Sequence, residues 1–171
     1  MTEKSRGDTF VPMNEVFLDA HGRAKNKEDV VNEIRSFILE RPDSFYKIII
    51  GSDSLQTLGH EADFVTAIVV HRVGNGGRYF WSRCRESNFH TLRDRIIREV
   101  MLSLGTSMEI LEILKKYQDI KFEFEVHVDV GSNGKTSALI SEVTGMVRAY
   151  HFNVKTKPES YAASSVADKH V

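Results

Sequence analysis

The sequence predicts an α/β domain whose sheet begins with three antiparallel strands and continues through alternating helices and strands. Three observations carry that reading. Ile48, Ile49 and Ile50 form a β-branched run closed by Gly51, the pattern of a strand buried on both faces. The segments DFVTAIVVHRV and RYFWSRCRE flank the turn GNGG at 74 to 77, and glycines supply the positive φ angles that a tight hairpin needs. A helical pattern from about Thr91 to Tyr117 is then followed by KFEFEVHVDVG, in which Phe122, Phe124, Val126 and Val128 alternate with polar neighbours.

In chain order, the first dozen residues are polar, lack periodicity and end at Pro12, so a frayed terminus and a short irregular lead-in are expected. From Asn26, apolar Val30, Ile34, Phe37 and Ile38 fall at helical spacing, with Asn26 as N-cap and Pro42 beyond the end. FYKIIIGSDS is the central strand. In the long helix, Ile96, Ile97, Val100, Met101 and Leu104 share one arc, and Gly105 is a candidate break. A helix over about Thr136–Ala149, a short strand HFNVKTK and a terminal helix SYAASSVADKH complete the order α-β-β-β-α-β-α-β-α. Residues 1–44 read as an extension with one helix, and 45–171 as the domain proper.

Composition narrows the function. With 171 residues, 41% hydrophobic and 27% charged, the chain buries one substantial core. No apolar stretch approaches the roughly 18 residues that span a bilayer, and MTEKSRGDTF lacks a signal-peptide core, so a soluble cytoplasmic protein is expected. The single cysteine, Cys84, excludes an intramolecular disulfide and a cysteine-based zinc cluster, which leaves oxygen or imidazole to hold any metal. A formal net charge of -1 gives no global attraction to a polyanion, so a nucleic-acid partner requires a local basic patch and bound cations.

Asp53 follows the triple-isoleucine run and Asp129 ends the strand before GSNGKTS. If those strands lie adjacent and parallel, both carboxylates emerge at one sheet edge, where their repulsion favours a hard divalent cation. Taken singly, each aspartate is equally well read as a turn cap accepting backbone N–H bonds. The pair gains weight because open α/β sheets place their ligands at strand C-terminal ends.

IIIGSDS, HVDVGSNGKTS and VKTKPESYAASSVADKH resemble the bacterial YkuK family of ribonuclease H-like proteins, over roughly Phe45 to Val171. The resemblance implies a ribonuclease H-like α/β fold: a five-stranded mixed sheet, three antiparallel strands then two parallel, flanked by helices, with the N-terminal helix as an extension. It also implies a two-ion Mg²⁺ or Mn²⁺ site of four acids and hydrolysis of phosphodiester bonds in RNA or DNA. Position by position, Asp53 matches the acid of the first strand and Asp129 that of the fourth. Glu99 is the match on the crossover helix, at the margin of its apolar arc, with an ordinary surface ion pair to Arg95 at i-4 as the alternative. Asp168 matches the acid of the last helix.

Asn133, Lys135 and Lys169 are candidate substrate contacts, and His127 and His170 candidate proton carriers, each with a solvent-exposed or structural role as the simpler account. Arg83, Arg85, Arg93, Arg95 and Arg98, beside Tyr79 and Trp81, offer a backbone-binding stripe, partly cancelled by Glu86, Asp94 and Glu99. Two other functions compete. GSNGKTS resembles the phosphate loop of Mur-type ligases, which would make the protein an ATPase; against this, a P-loop requires glycine where Asp129 stands, and only 35 residues follow Thr136. A ribonuclease H-like binding module without turnover is the other.

Overall fold

The computed structural model describes residues 16–171. The expectation for the first dozen residues lies outside this range. Among the described residues, one mixed sheet has seven strands: β1 (Phe17–Asp19), β2 (Ala24–Lys25), β3 (Tyr46–Gln56), β4 (Ala62–Arg72), β5 (Gly77–Glu86), β6 (Glu123–Val128) and β7 (Asn153–Lys155), in the spatial order β2-β1-β5-β4-β3-β6-β7. β3, β4 and β5 form the expected antiparallel meander, and β6 and β7 add parallel to β3.

The sheet therefore has seven strands, against the five expected, because the lead-in contributes two. Leu18 pairs with Trp81 and Asp19 with Phe80, so β1 extends the sheet beyond β5. Strands of three and two residues are too short for periodicity to reveal them. Asp19 closes the β1–β2 turn by accepting from the N–H groups of His21 and Arg23. Phe17 is fully buried in the same core as Ile48 and Ile50.

Three α-helices cover one face: α1 (Lys27–Leu39), α2 (Leu92–Leu114) and α3 (Ile140–Ala149). Asn26 and Thr91 cap α1 and α2 through reciprocal capping boxes with Asp29 and Asp94. Even-numbered β3 residues Ile48 and Ile50 meet α1 and the end of α2, and Val126, Val128 and Val130 meet α2 and α3. No break occurs at Gly105. Leu104, Thr106, Ser107 and Ile110 around it are buried, so tertiary packing outweighs the poor helix propensity of one glycine. Among the described residues, the opposite face is covered by a terminal segment, wound as a π-helix over Ala162–Ala167 and a 3-10 turn over Asp168–His170. It packs on odd-numbered sheet residues Ile49, Val65, Ala67 and Val69. Among the described residues, no helix is long and apolar enough to cross a membrane.

Candidate metal centre

The parallel pairing of β3 with β6 runs from Lys47 opposite Glu123 to Ser52 opposite Val128. One step further, Asp53 and Asp129 stand side by side just beyond the last paired position. β-Branched residues drive both strands into the core up to this point, and there the chain of β6 leaves the sheet as the loop VGSNGKT. Asp129 thus follows the C-terminal end of β6, whereas Asp53 lies inside β3, which runs on to Gln56 with Asp53 itself paired to Val65 of β4.

Glu99 reaches the same place from α2. Along β3, Ser52 and Ser54 point toward α2; along α2, Ser103 and Glu99 point back. The Ser103 hydroxyl donates to Ser52 Oγ at 2.9 Å, Ser52 Oγ lies 2.9 Å from Thr66 Oγ1, and the Ser54 hydroxyl donates to Glu99 Oε1 at 2.5 Å. Two strand residues span about 6.7 Å and four helical residues about 6 Å, so the two ladders keep step. Glu99 is 6% exposed, so it is not a surface residue paired with Arg95; it faces the sheet from the flank of the apolar arc of α2. Arg95, one turn earlier, instead donates through Nη1 to Ser54 O at 3.1 Å and Ser54 Oγ at 3.0 Å.

Asp168 arrives from the opposite face on the terminal turn. Its carboxyl contacts that of Asp53. The turn is fixed by Ala167, buried against Val65 and Ala67, and by His170, whose ring stacks on Trp81 at 4.3 Å and 7°.

The electrostatics follow from this crowding. Burial pushes the Asp53 carboxyl up to about 6, with Asp129 and Asp168 adding repulsion against the relief of the Ser54 N–H. Burial pushes Glu99 up to about 8; Asp53 and Asp129 raise it further, while the Ser54 hydroxyl and Arg95 oppose them. Each of the four acids therefore feels at least one of the others. Asp129 Oδ2 pairs with Lys157 Nζ at 3.1 Å, and its Oδ1 is buried with no hydrogen-bond partner. As they stand, no three acidic or imidazole groups among the described residues converge on one metal position, because Asp129 turns to Lys157 and Glu99 to Ser54. The donor set nonetheless fits a hard cation: carboxylate oxygens only, one of them buried without a donor.

Sequence reading missed Ser54 and Lys157, although both lie in strings it singled out, IIIGSDS and VKTKPES. Asn133, Lys135 and Lys169 are exposed. In the GSNGKT loop, the Gly131 N–H donates to Thr136 Oγ1 at 3.3 Å, and a Cβ at Gly131 would lie 3.1 Å from Lys157 Cβ. The loop leads into a 3-10 turn, Ser137–Leu139, before α3, so its amides do not open directly onto a long helix as in a nucleotide-binding P-loop. His127 is buried and engaged on both sides: Nδ1 accepts from the Ala162 N–H at 3.3 Å, and Nε2 donates to Glu125 Oε2 at 3.1 Å. This makes it a structural anchor for the terminal segment.

The arginine stripe divides between the faces. Arg93 pairs with Glu142 and Arg98 with Glu86, whereas Arg83 and Arg85 share Asp63 on the other side of the sheet. Trp81 offers no free stacking face on that side beneath His170.

The family model described as Ribonuclease H-like matches residues 29–171. A curated protein of Bacillus subtilis (strain 168), named Uncharacterized protein YkuK, is 32% identical over 156 residues, covering 83% of this chain and 88% of its own. No solved structure matches. The matched span takes in Asp53, Glu99, Asp129 and Asp168 together with every strand from β3 to β7, and the chain belongs to the YkuK family of ribonuclease H-like proteins.

Proposed function

We propose that this protein is a divalent-metal-dependent nuclease that hydrolyses phosphodiester bonds of RNA or DNA, with Asp53, Glu99, Asp129 and Asp168 as its metal-holding acids. The observation that supports the reading is the neighbourhood of acids from β3, α2, the end of β6 and the terminal turn, each within electrostatic reach of another although no three among the described residues meet at one position, with a buried Asp129 oxygen that has no donor. Three carboxyls that are buried or half-buried, Asp53, Glu99 and Asp129, beside an exposed fourth, Asp168, are costly for stability, and such cost concentrates at functional sites.

A bound pair of Mg²⁺ or Mn²⁺ ions supplies charge neutralisation at the phosphate and a lowered water pKa. The chain's own groups prepare the place. Asp53 and Asp129, fixed by β-pairing, set the spacing of the donors. Ser54 holds the Glu99 carboxyl in position and Arg95 holds Ser54. The Lys157 ammonium pairs with Asp129, balancing a charge that a bound cation would also balance. Exposed Asn133 and Lys135, on the loop that follows Asp129, and Lys169, beside Asp168, contact the substrate backbone.

Hydrolysis of labelled RNA and DNA substrates in Mg²⁺ and Mn²⁺ tests this. Asp53→Asn and Asp129→Asn are each expected to lower the rate about a thousandfold or more, about 4 kcal/mol of barrier, while circular dichroism stays unchanged. Full activity in both variants sinks the assignment.

A further inference from the structure

On the face of the sheet that carries Asp53, a second charged constellation lies two strands away. Val65 of β4 pairs with Asp53 on one side and with Arg83 on the other; Asp63, two residues earlier, pairs with Arg85. The Asp63 carboxylate is buried, 4% exposed, and holds both guanidiniums. Arg85 donates to it in bidentate fashion, Nε to Oδ1 at 2.7 Å and Nη2 to Oδ2 at 2.9 Å, and Arg83 Nη2 donates to Oδ2 at 2.6 Å. The two arginine side chains are 45% and 59% exposed.

This is an unusual way to use three charges. If Arg83 and Arg85 were only surface residues, a buried aspartate between them would serve little purpose, since exposed ion pairs contribute little to stability. With a buried carboxylate as anchor, both guanidinium planes are held in one orientation and their unengaged N–H groups are left at the solvent side. A guanidinium carries five donors, of which Arg85 spends two on Asp63 and Arg83 one. Arg83 stands level with Asp53 across Val65, whereas Arg85 is two residues further along the strand, which leaves Arg83 the nearer of the two to the acids.

We propose that Arg83 and Arg85, oriented by Asp63, form a phosphate-binding fork that grips the nucleic-acid backbone next to the phosphate at the acidic edge. The proposal deepens the nuclease reading and rests on it for the position of that phosphate. Two interstrand spacings place the fork about 10 Å from Asp53, the scale of one to two backbone phosphates. Val65, between Asp53 and Arg83, is fully buried beneath Ala167, so the terminal turn with Asp168 lies over the line joining the two places and the backbone would run beside that turn. The fork also answers how a chain of net charge -1 holds a polyanion: through a preoriented local pair instead of a basic surface.

The test is equilibrium binding of short fluorescein-labelled RNA and DNA, single- and double-stranded, read by anisotropy in EDTA over a series of salt concentrations. For the double variant Arg83→Gln, Arg85→Gln, affinity is expected to fall about tenfold or more and the salt slope by roughly 1 to 2, with Arg83→Gln the stronger of the single variants. Arg83→Lys with Arg85→Lys, which keeps the charge and loses the fork, should recover only part of the loss. Asp63→Asn is the sharpest arm: it adds positive charge, yet it should weaken binding by freeing the guanidiniums. Binding by the double Gln variant equal to that of the unaltered protein overturns the proposal, as does tighter binding by Asp63→Asn. Binding that depends on the two arginines without any cleavage removes the nuclease reading and leaves the fork; cleavage that requires Asp53 with binding indifferent to the arginines does the reverse.

Discussion

The two faces of the sheet are built on different principles. On the helical face, Ile48, Ile50, Ile68, Val70 and Phe80 meet Val30, Ile34, Ile110 and Leu114 in a continuous apolar layer. On the other face the apolar contacts shrink to small groups around Ile49 with Val69 and Ala162, and around Val65 with Ala67 and Ala167. Polar structure fills the remainder: Lys47 with Glu125 and His127, Asp63 with its two arginines, and the acids at the edge. A thin cover of small residues lets carboxyls sit near solvent while their strands remain fixed from behind. Stability and chemistry are thereby assigned to opposite sides of the same strands, one residue apart in sequence.

Ile49 and Ile50 give the strongest way to break that contrast. Both are fully buried and differ only in the face they serve. Ile50→Ala should cost about 3–5 kcal/mol in urea unfolding and Ile49→Ala about 2 kcal/mol, because the thin cover collapses more readily onto a smaller side chain. Equal costs would erase the distinction.

Next in size is the response of the acidic edge to cations. With Mn²⁺ at about a hundredfold above its dissociation constant, thermal unfolding should shift upward by the equivalent of about 2.7 kcal/mol. Asp53→Asn and Asp129→Asn should abolish the shift, and an unchanged shift in both would separate metal binding from these residues.

Glu99 offers the smallest effect and the clearest sign. Its folded carboxyl is raised to about 8 by burial, whereas the unfolded chain ionises near 4.5. The folded state thus holds a proton that the unfolded state gives up, and stability falls as pH rises from about 4.5 to about 8. Glu99→Gln, which keeps an acceptor for Ser54, should therefore stabilise the protein by about 1–2 kcal/mol at pH 8 and by almost nothing at pH 4.5. Melting curves at the two pH values decide it.

The sequence disclosed the parts of this molecule that repeat over many residues. The triple-isoleucine strand, the hairpin about GNGG, the first helix with its Asn26 cap, the long second helix and the place of Asp129 after β6 follow from periodicity and turn chemistry. The short strands β1 and β2 were beyond its reach because their pairing depends on the distant edge of β5. Glu99 looked marginal because a helical wheel weighs polarity alone, and its burial depends on a serine ladder from another element. The arginine stripe looked continuous because sequence proximity does not distinguish the two faces of β5 from α2. Asp63 went unnoticed for the same reason: its partners lie 20 and 22 residues further along the chain.

The terminal turn carries a last consequence. Asp168 reaches Asp53 only after the π-helical segment has laid Ala162 and Ala167 onto a finished sheet, and the contact closes a loop across most of the domain. Long-range closures form late, since their entropy is recovered only when the intervening structure exists. On that ground the acidic edge is expected to mature after the sheet, with a half-folded chain carrying three of its acids in place without the fourth, a delay between acquiring shape and acquiring chemistry.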